Sequence, residues 1–271
     1  MKKVKSPLLT VLALFIAFIW LIPLIWLLGT AFNEPSYIMS FLPKTRITLD
    51  NLKYVWNAIP FGQYYMNTLT IVVVTFCVQF ITSTIAAYAL AVIEFKGKIL
   101  VFAVIFMQII IPNDVLITPN FMTLSELNLI DTKLGIMLPF FGSALAIFLL
   151  RQVFKSIPKA LSEAAKIDGA NIWQTIWRVY MPCAKSAYVS FAVISVSYHW
   201  NNYLWPLIVT NSPKNRTLTV GLAIFAKSKE ANMQWANVCA ATFIIILPLL
   251  IAFFVMQKQF MSSFVSAGIK E

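Results

Sequence analysis

Six stretches of this chain stay apolar long enough to cross a bilayer, and no other feature restricts its fold as strongly. They run over residues 8–32, 65–93, 99–118, 135–150, 188–210 and 235–257. A helix crossing the ~30 Å hydrocarbon layer needs about 20 apolar residues. Backbone in lipid must satisfy its own hydrogen bonds, so such stretches become helices. The fourth is the shortest. Pro23 and Pro248 interrupt the first and last, which membrane helices tolerate. Composition agrees: 60% of residues are hydrophobic and 11% charged, where a soluble domain has about 25% charged. The expectation is an all-α integral membrane protein, one transmembrane domain over residues 1–271 with six spanning helices.

The net charge of +11 does not point to nucleic acid, because the cations sit in short intervals between the oily runs. There they set orientation and meet lipid headgroups. With the N-terminus inside, the inner intervals hold Lys2, Lys3, Lys5, Lys96, Lys98, Arg151, Lys155, Lys159, Lys166, Arg178, Lys185, Lys258 and Lys270. The outer ones hold Lys44, Arg46, Lys53, Lys133, Lys214, Arg216, Lys227 and Lys229. The inner majority predicts that both termini and the interval 151–187 face the cytoplasm. The first run is too long for a signal-peptide core and has no convincing cleavage site, so it reads as a retained span. Cys77, Cys183 and Cys239 are far apart, with neither a disulfide framework nor metal spacing. The outer intervals 33–64, with Pro35, Pro43 and Pro60, and 211–234 are longer than hairpins need. They suit either a landing surface for an external partner or packing over the outer helix ends.

The interval 151–187 is the longest basic, polar stretch and reads as two short helices and a joint. Ser156 suits the cap of the first, with Pro158 in its first turn. Gly169 suits the left-handed residue past its end. Asn171 and Gln174 have capping-box spacing at the start of the second. There Ile172, Ile176 and Val179 share a stripe beside Trp173, Trp177 and Tyr180, and Pro182 is expected to end it. Paired Ala164 and Ala165 let another surface approach closely. The alternative is an amphipathic linker resting on lipid.

These residues also resemble a known family. Glu163, Ala164, Ala165, Asp168, Gly169, Ala170 and Pro182 match the EAA loop of the membrane subunits of binding-protein-dependent ABC importers. Phe148-Leu149-Leu150-Arg151-Gln152 and Trp200-Asn201-Asn202-Tyr203-Leu204-Trp205-Pro206-Leu207 resemble its carbohydrate-importer branch, the MalG-like permeases. The resemblance extends from about Asn67 to the tail at Lys270. It implies a bacterial inner-membrane permease that translocates a sugar or related polar solute. It also implies a second homologous permease subunit, two ATP-binding subunits carrying ATP and Mg at the cytoplasmic loop, and an extracytoplasmic solute-binding protein. In this family the loop couples the spans to the ATPase. The chain departs from the pattern at Ile176, Val179 and Ser186; the first two keep the apolar stripe, and the third removes a second proline.

The chain carries no ATP site of its own. Gly97-Lys98 is the only Gly-Lys pair and lacks the glycine-rich approach of a P-loop. A lone histidine makes neither a metal site nor a triad, so no catalytic residue or bound cofactor is expected. Polar groups inside spans are costly and therefore functional candidates. Ser195, Ser197, His199, Asn201 and Asn202 are the densest set. Beside Tyr198, Trp200 and Tyr203 they suit a sugar, or they hold helices together. Pro112, Asn113, Asp114 and Pro119 mark a hinge or gate near the outer end of the third stretch. Asn67 is either a helix cap or part of the same path. Asp114 alone would serve the competing reading, a secondary carrier driven by an ion gradient. A non-transporting scaffold would not need so polar a fifth stretch.

Overall fold

All regular structure among the described residues is helical. The computed structural model describes residues 7–34, 47–228 and 235–268. Lys2, Lys3, Lys5, Pro35, Pro43, Lys44, Arg46, Lys229 and Lys270, used above, lie outside them. In chain order the helices are α1 (Pro7–Ala31), α2 (Asp50–Ala58), α3 (Phe61–Ala91), α4 (Lys98–Ile110), α5 (Ile117–Glu126), α6 (Lys133–Met137) and α7 (Ala144–Ser156). There follow α8 (Lys159–Ile167), α9 (Ile172–Thr175), α10 (Met181–Cys183), α11 (Lys185–Asn201), α12 (Leu204–Val209), α13 (Leu218–Lys227) and α14 (Trp235–Gly268).

Among the described residues, three unbroken helices are long and apolar enough to cross a membrane: α1, α3 and, in α14, Trp235–Phe254. The other apolar stretches, at 99–118, 135–150 and 188–210, are bent or broken, the first of these where Pro112 predicts a hinge. The third bends by 98° between Lys98–Ile110 and Asn113–Glu126. Ile111 is extended because the residue before a proline avoids the helical region. Pro119 does not break the chain a second time. It falls in the first turn of α5, where its missing N–H has no intrahelical acceptor to lose. The fourth bends by 41° between Lys133–Phe140 and Ala144–Ser156. There Ser143 restarts the helix, its hydroxyl accepting from the Ala146 N–H at 3.2 Å. The fifth is α11, an extended Asn202 and the short α12.

The chain forms two compact units, Met1–Gln63 with Leu218–Ile251, and Tyr64–Thr217 with Ala252–Glu271. In the first, buried Asn51 donates to the carbonyls of Ala31 and Asn33 at 3.0 and 2.6 Å. One side chain thereby satisfies backbone at and just past the end of α1. Phe32 meets Phe243 edge-on at 5.4 Å, and Trp56 stacks on Phe61 at 6.0 Å.

In the second unit α3 carries an apolar cluster near each end. Ile71, Leu124, Ile136, Met137, Trp205 and Val209 form one, with the Trp205 indole donating to the Ile136 carbonyl at 3.2 Å. Gly135 belongs to the same region, and a Cβ there would run into the Leu129 carbonyl oxygen. Ala87, Leu150, Phe154, Ile176, Tyr180 and Tyr188 belong to the other. Ile71 and Ala87 are about 24 Å apart along a helix rising 1.5 Å per residue. The polar middle of α3 lies between the clusters.

Candidate functional site

Two constellations stand out, the joint at Gly169 and a polar recess at the middle of α3. At the joint, α8 ends as its glycine predicts. Gly169 has φ +77°. The N–H of Gly169 donates to the Lys166 carbonyl at 3.0 Å and that of Ala170 to Ala165 at 2.9 Å. This is the two-bond pattern of a Schellman end, which satisfies carbonyls the helix leaves unpaired. The capping box forms as well. Asn171 accepts from the Gln174 N–H at 2.9 Å, and Gln174 accepts from the Asn171 N–H at 2.8 Å. Two expectations are corrected. Ser156 is the last residue of α7, its hydroxyl donating to the Val153 carbonyl, and Pro158 takes the cap position of α8. Pro182 does not end the second helix, which continues to Cys183 and turns by 82° at Ala184. The preceding turn, Ile176–Tyr180, is wound as a π-helix. A wider turn makes room where a proline ring would press on the turn before it.

That winding also re-aims the stripe. Thr175, Ile176 and Tyr180 are buried, while Ile172, Trp173 and Trp177 stay exposed. Tyr180 packs edge-on against Tyr88 and Phe154 at 5.2 and 5.3 Å, so the joint stands on α3 and α7. Buried Arg151 reinforces this end. Its Nε donates to the Leu90 carbonyl at 3.2 Å, and its guanidinium lies 3.9 Å from the centre of the Phe102 ring. Lys98 donates to the Ile93 carbonyl at 2.8 Å. Both cations meet carbonyls at the C-terminal end of α3, where the helix dipole favours positive charge. On the outward side Glu163, Ala164, Asp168 and Gly169 are exposed, with Ala165 and Ala170 half-buried. Beside them Ile167 is 87% exposed and Leu161 45%.

The recess has a volume of about 350 Å³. Its floor is organised by Gln79, a buried amide the sequence reading did not single out. Gln79 accepts from the Ser195 hydroxyl at 2.7 Å and donates to the Phe140 carbonyl at 2.7 Å. Its Nε2 also stands 3.2 Å from His199 Nε2. An amide nitrogen has no lone pair to accept with, so His199 Nε2 accepts and the ring proton is on Nδ1. Phe140 and Tyr198 flank the imidazole edge-on at 5.2 and 5.1 Å. Gln108, also missed, accepts from the Ala144 N–H at 3.2 Å. Asn113 donates to the Tyr198 hydroxyl at 3.0 Å. A smaller adjoining recess of about 70 Å³ shares Gln108, Asn113, Phe140 and Tyr198 and adds Asp114 and Asn202. Amides within apolar runs were the available signal for Gln79 and Gln108.

The structure thus brings together Ser195, His199, Asn113, Asp114 and Asn202 and leaves two other residues elsewhere. Asn201 is exposed and donates to the Ser197 carbonyl of its own helix at 2.8 Å. Asn67 is buried inside α3 and donates to the carbonyls of Lys214 and Arg216 at 2.7 and 2.9 Å. It pins the same loop that Asp131 holds. The Asp131 carboxylate accepts from the N–H groups of Asn211 and Ser212 at 3.0 and 3.1 Å. Burial alone would raise its pKa. The hydrogen bonds from Ser212, Asn211 and Asn215 outweigh that and hold it below the usual carboxylate value.

A recess of neutral amides, hydroxyls and aromatic edges can bind hydroxyl groups and the apolar faces of a sugar ring. Known proteins agree with a transport role. Residues 79–263 match the family described as the inner membrane component of binding-protein-dependent transport systems. The lactose transport system permease protein LacG of Rhizobium radiobacter is 32% identical over 245 residues, 90% of this chain and 89% of that one. The arabinooligosaccharides transport system permease protein AraQ of Halalkalibacterium halodurans is 31% identical over the full length of both. The sn-glycerol-3-phosphate transport system permease protein UgpE of Yersinia pestis is 31% identical over 80% of this chain and 79% of that one. A chain of a bacterial ABC transporter involved in the import of the acidic polysaccharide alginate superposes with a TM-score of 0.81. It is 25% identical, over 94% of this chain and 96% of that one.

Proposed function

This chain belongs to the family of inner membrane components of binding-protein-dependent transport systems, and on that premise we propose how it works as a permease of an ATP-driven importer. It is one of two homologous permease subunits in a bacterial plasma membrane. Two ATP-binding subunits sit on its cytoplasmic side, carrying the ATP and Mg, and a solute-binding protein delivers from outside. The chain is one transmembrane domain of six spans, made of three unbroken helices and three bent ones, with both termini cytoplasmic. It hydrolyses nothing itself.

The joint from α8 to α10 is the coupling element. The observation that carries this reading is an exposed apolar and acidic edge set on a rigid base. Glu163, Ala164, Asp168 and Gly169 are exposed, while Ile176 and Tyr180 behind them are 3% and 2% exposed. A force on α8 therefore reaches α3, α7 and α11 through packed side chains rather than a loose linker. Closure of the ATPase dimer on ATP moves α8, and the spans pass between two packings biased by the nucleotide state. Glu163 and Asp168 make polar contacts to the ATPase, Ala164 and Ala165 allow close approach, and Gly169, Ala170 and Pro182 keep the shape. The recess at Gln79 is this subunit's share of the solute path. A sugar or oligosaccharide is the first expectation, with a polyol or glycerol phosphate next.

The test places tryptophan at Ala164. Membrane insertion and pairing with the second permease stay normal, and the ATP-binding subunits no longer copurify. A full complement of ATP-binding subunits with normal uptake would contradict the coupling role.

A further inference from the structure

We propose that this subunit's recess passes uncharged sugars and turns anionic ones away, with Asp114 as the residue that sets the discrimination. The proposal rests on reading the recess as solute path. Family membership leaves the charge of the solute open, since the relatives are named for lactose and arabinooligosaccharides but also for glycerol 3-phosphate and alginate.

The lining decides it by its charges. Among the described residues, no lysine or arginine lines either the larger or the smaller recess. A phosphate or carboxylate entering from water loses its hydration and needs a cation or several charge-assisted donors in exchange. The groups with spare capacity are neutral. Gln108 uses its carbonyl oxygen on the Ala144 N–H, and its amide hydrogens remain. Asn113 uses its amide nitrogen on Tyr198, and its carbonyl oxygen remains. His199 accepts at Nε2, and its Nδ1–H remains. This alternation of donors and acceptors matches hydroxyl groups, each of which gives one hydrogen and takes others.

The one formal charge among the described lining residues is negative. Asp114 lines the smaller recess beside Gln108, Asn113 and Tyr198, which also line the larger one. It is exposed, as the first acidic residue after the break at Pro112. For a neutral sugar its carboxylate is a strong acceptor for a hydroxyl hydrogen. For an anion it adds repulsion to a site that already lacks a cation. Asp114 therefore raises the selectivity of the path without any bond being made or broken.

The experiment uses the assembled complex with Cys77, Cys183 and Cys239 replaced and Ile194→Cys as reporter, since Ile194 lines the larger recess and is exposed. The rate of alkylation by an uncharged maleimide is measured with galactose or galacturonate at matched ionic strength. The two sugars differ only in carrying a hydroxymethyl group or a carboxylate. Galactose is expected to slow the reaction about twofold at half occupancy, and galacturonate not to slow it at the same concentration. Asp114→Asn is expected to lower the half-protecting concentration of galacturonate on the order of tenfold, the scale of one removed repulsion, while that of galactose, which loses a charged acceptor, does not fall. Equal protection by both sugars, or no change with Asp114→Asn, would overturn the charge selection and leave the solute path standing. Protection by neither sugar would overturn the solute path and the selection with it.

Discussion

Substitution at Gly169 tests the joint, because the structure separates two ways in which a side chain there would do harm. Gly169 has φ +77°, and among the described residues no heavy atom beyond its two chain neighbours lies within 4 Å of where a Cβ would stand. Within this chain the cost is therefore conformational rather than steric. A residue with a Cβ in the left-handed region costs roughly 1–2 kcal/mol, and asparagine, which visits that region routinely, costs less. A penalty of that size lowers the share of correctly turned joints by about five- to thirtyfold. The backbone account then orders the variants: Gly169→Asn mildest, Gly169→Ala intermediate, Gly169→Val worst. A purely steric account, in which the side chain strikes the docked ATPase, orders them by size and makes asparagine worse than alanine. The assay is copurification of the ATP-binding subunits with each variant, alongside uptake of labelled solute. Membrane insertion is unchanged throughout. If alanine outperforms asparagine in both readouts, the reasoning from φ is refuted.

Three further outcomes are expected. Gln79→Leu removes three hydrogen-bond contacts across the second unit; at about 0.6 kcal/mol per interhelical bond in membranes it costs roughly 2 kcal/mol. Asn201→Ala, whose bond stays within its own helix, leaves stability unchanged, and thermal inactivation of the purified complex measures both. Asp131 has a lowered pKa in the folded chain, so its contribution is complete above the unfolded carboxylate value of about 3.9 and is lost as pH falls through the lower folded value. Hydrogen exchange at the Asn211 and Ser212 amides should thus report an anchored loop from neutral pH down to that range and a freed one below it. Orientation is read by impermeant thiol labelling in a cysteine-free background: Asp50→Cys reacts from outside and Lys166→Cys does not, and the reverse would put the joint on the wrong side for ATP.

How much of this was legible depended on how local the cause is. Gly169, Asn171 and Gln174 act through bonds spanning a few residues, so their spacing alone was enough. The six apolar stretches were also plain, since lipid demands length and little else. Bends were harder. Pro112 marked one break, but nothing in the composition around Ala184 marks the turn there. Pro182 stands two residues earlier and was mistaken for the stop. The π-wound turn at Ile176–Tyr180 shifted which side of the stripe is buried. The role of Gln79 was not legible because its partners Ser195 and His199 lie 116 and 120 residues away. The sequence shows a glutamine in an apolar run, and only the fold shows what it holds.

The proposed driving force of this permease is ATP hydrolysed on partner subunits and transmitted through the joint. Its most direct test is uptake into proteoliposomes holding the purified complex. Labelled sugar is expected to accumulate only when both ATP and the solute-binding protein are supplied, and Ala164→Trp to abolish this accumulation. Accumulation driven by an imposed ion gradient without ATP, and unaffected by Ala164→Trp, would contradict it.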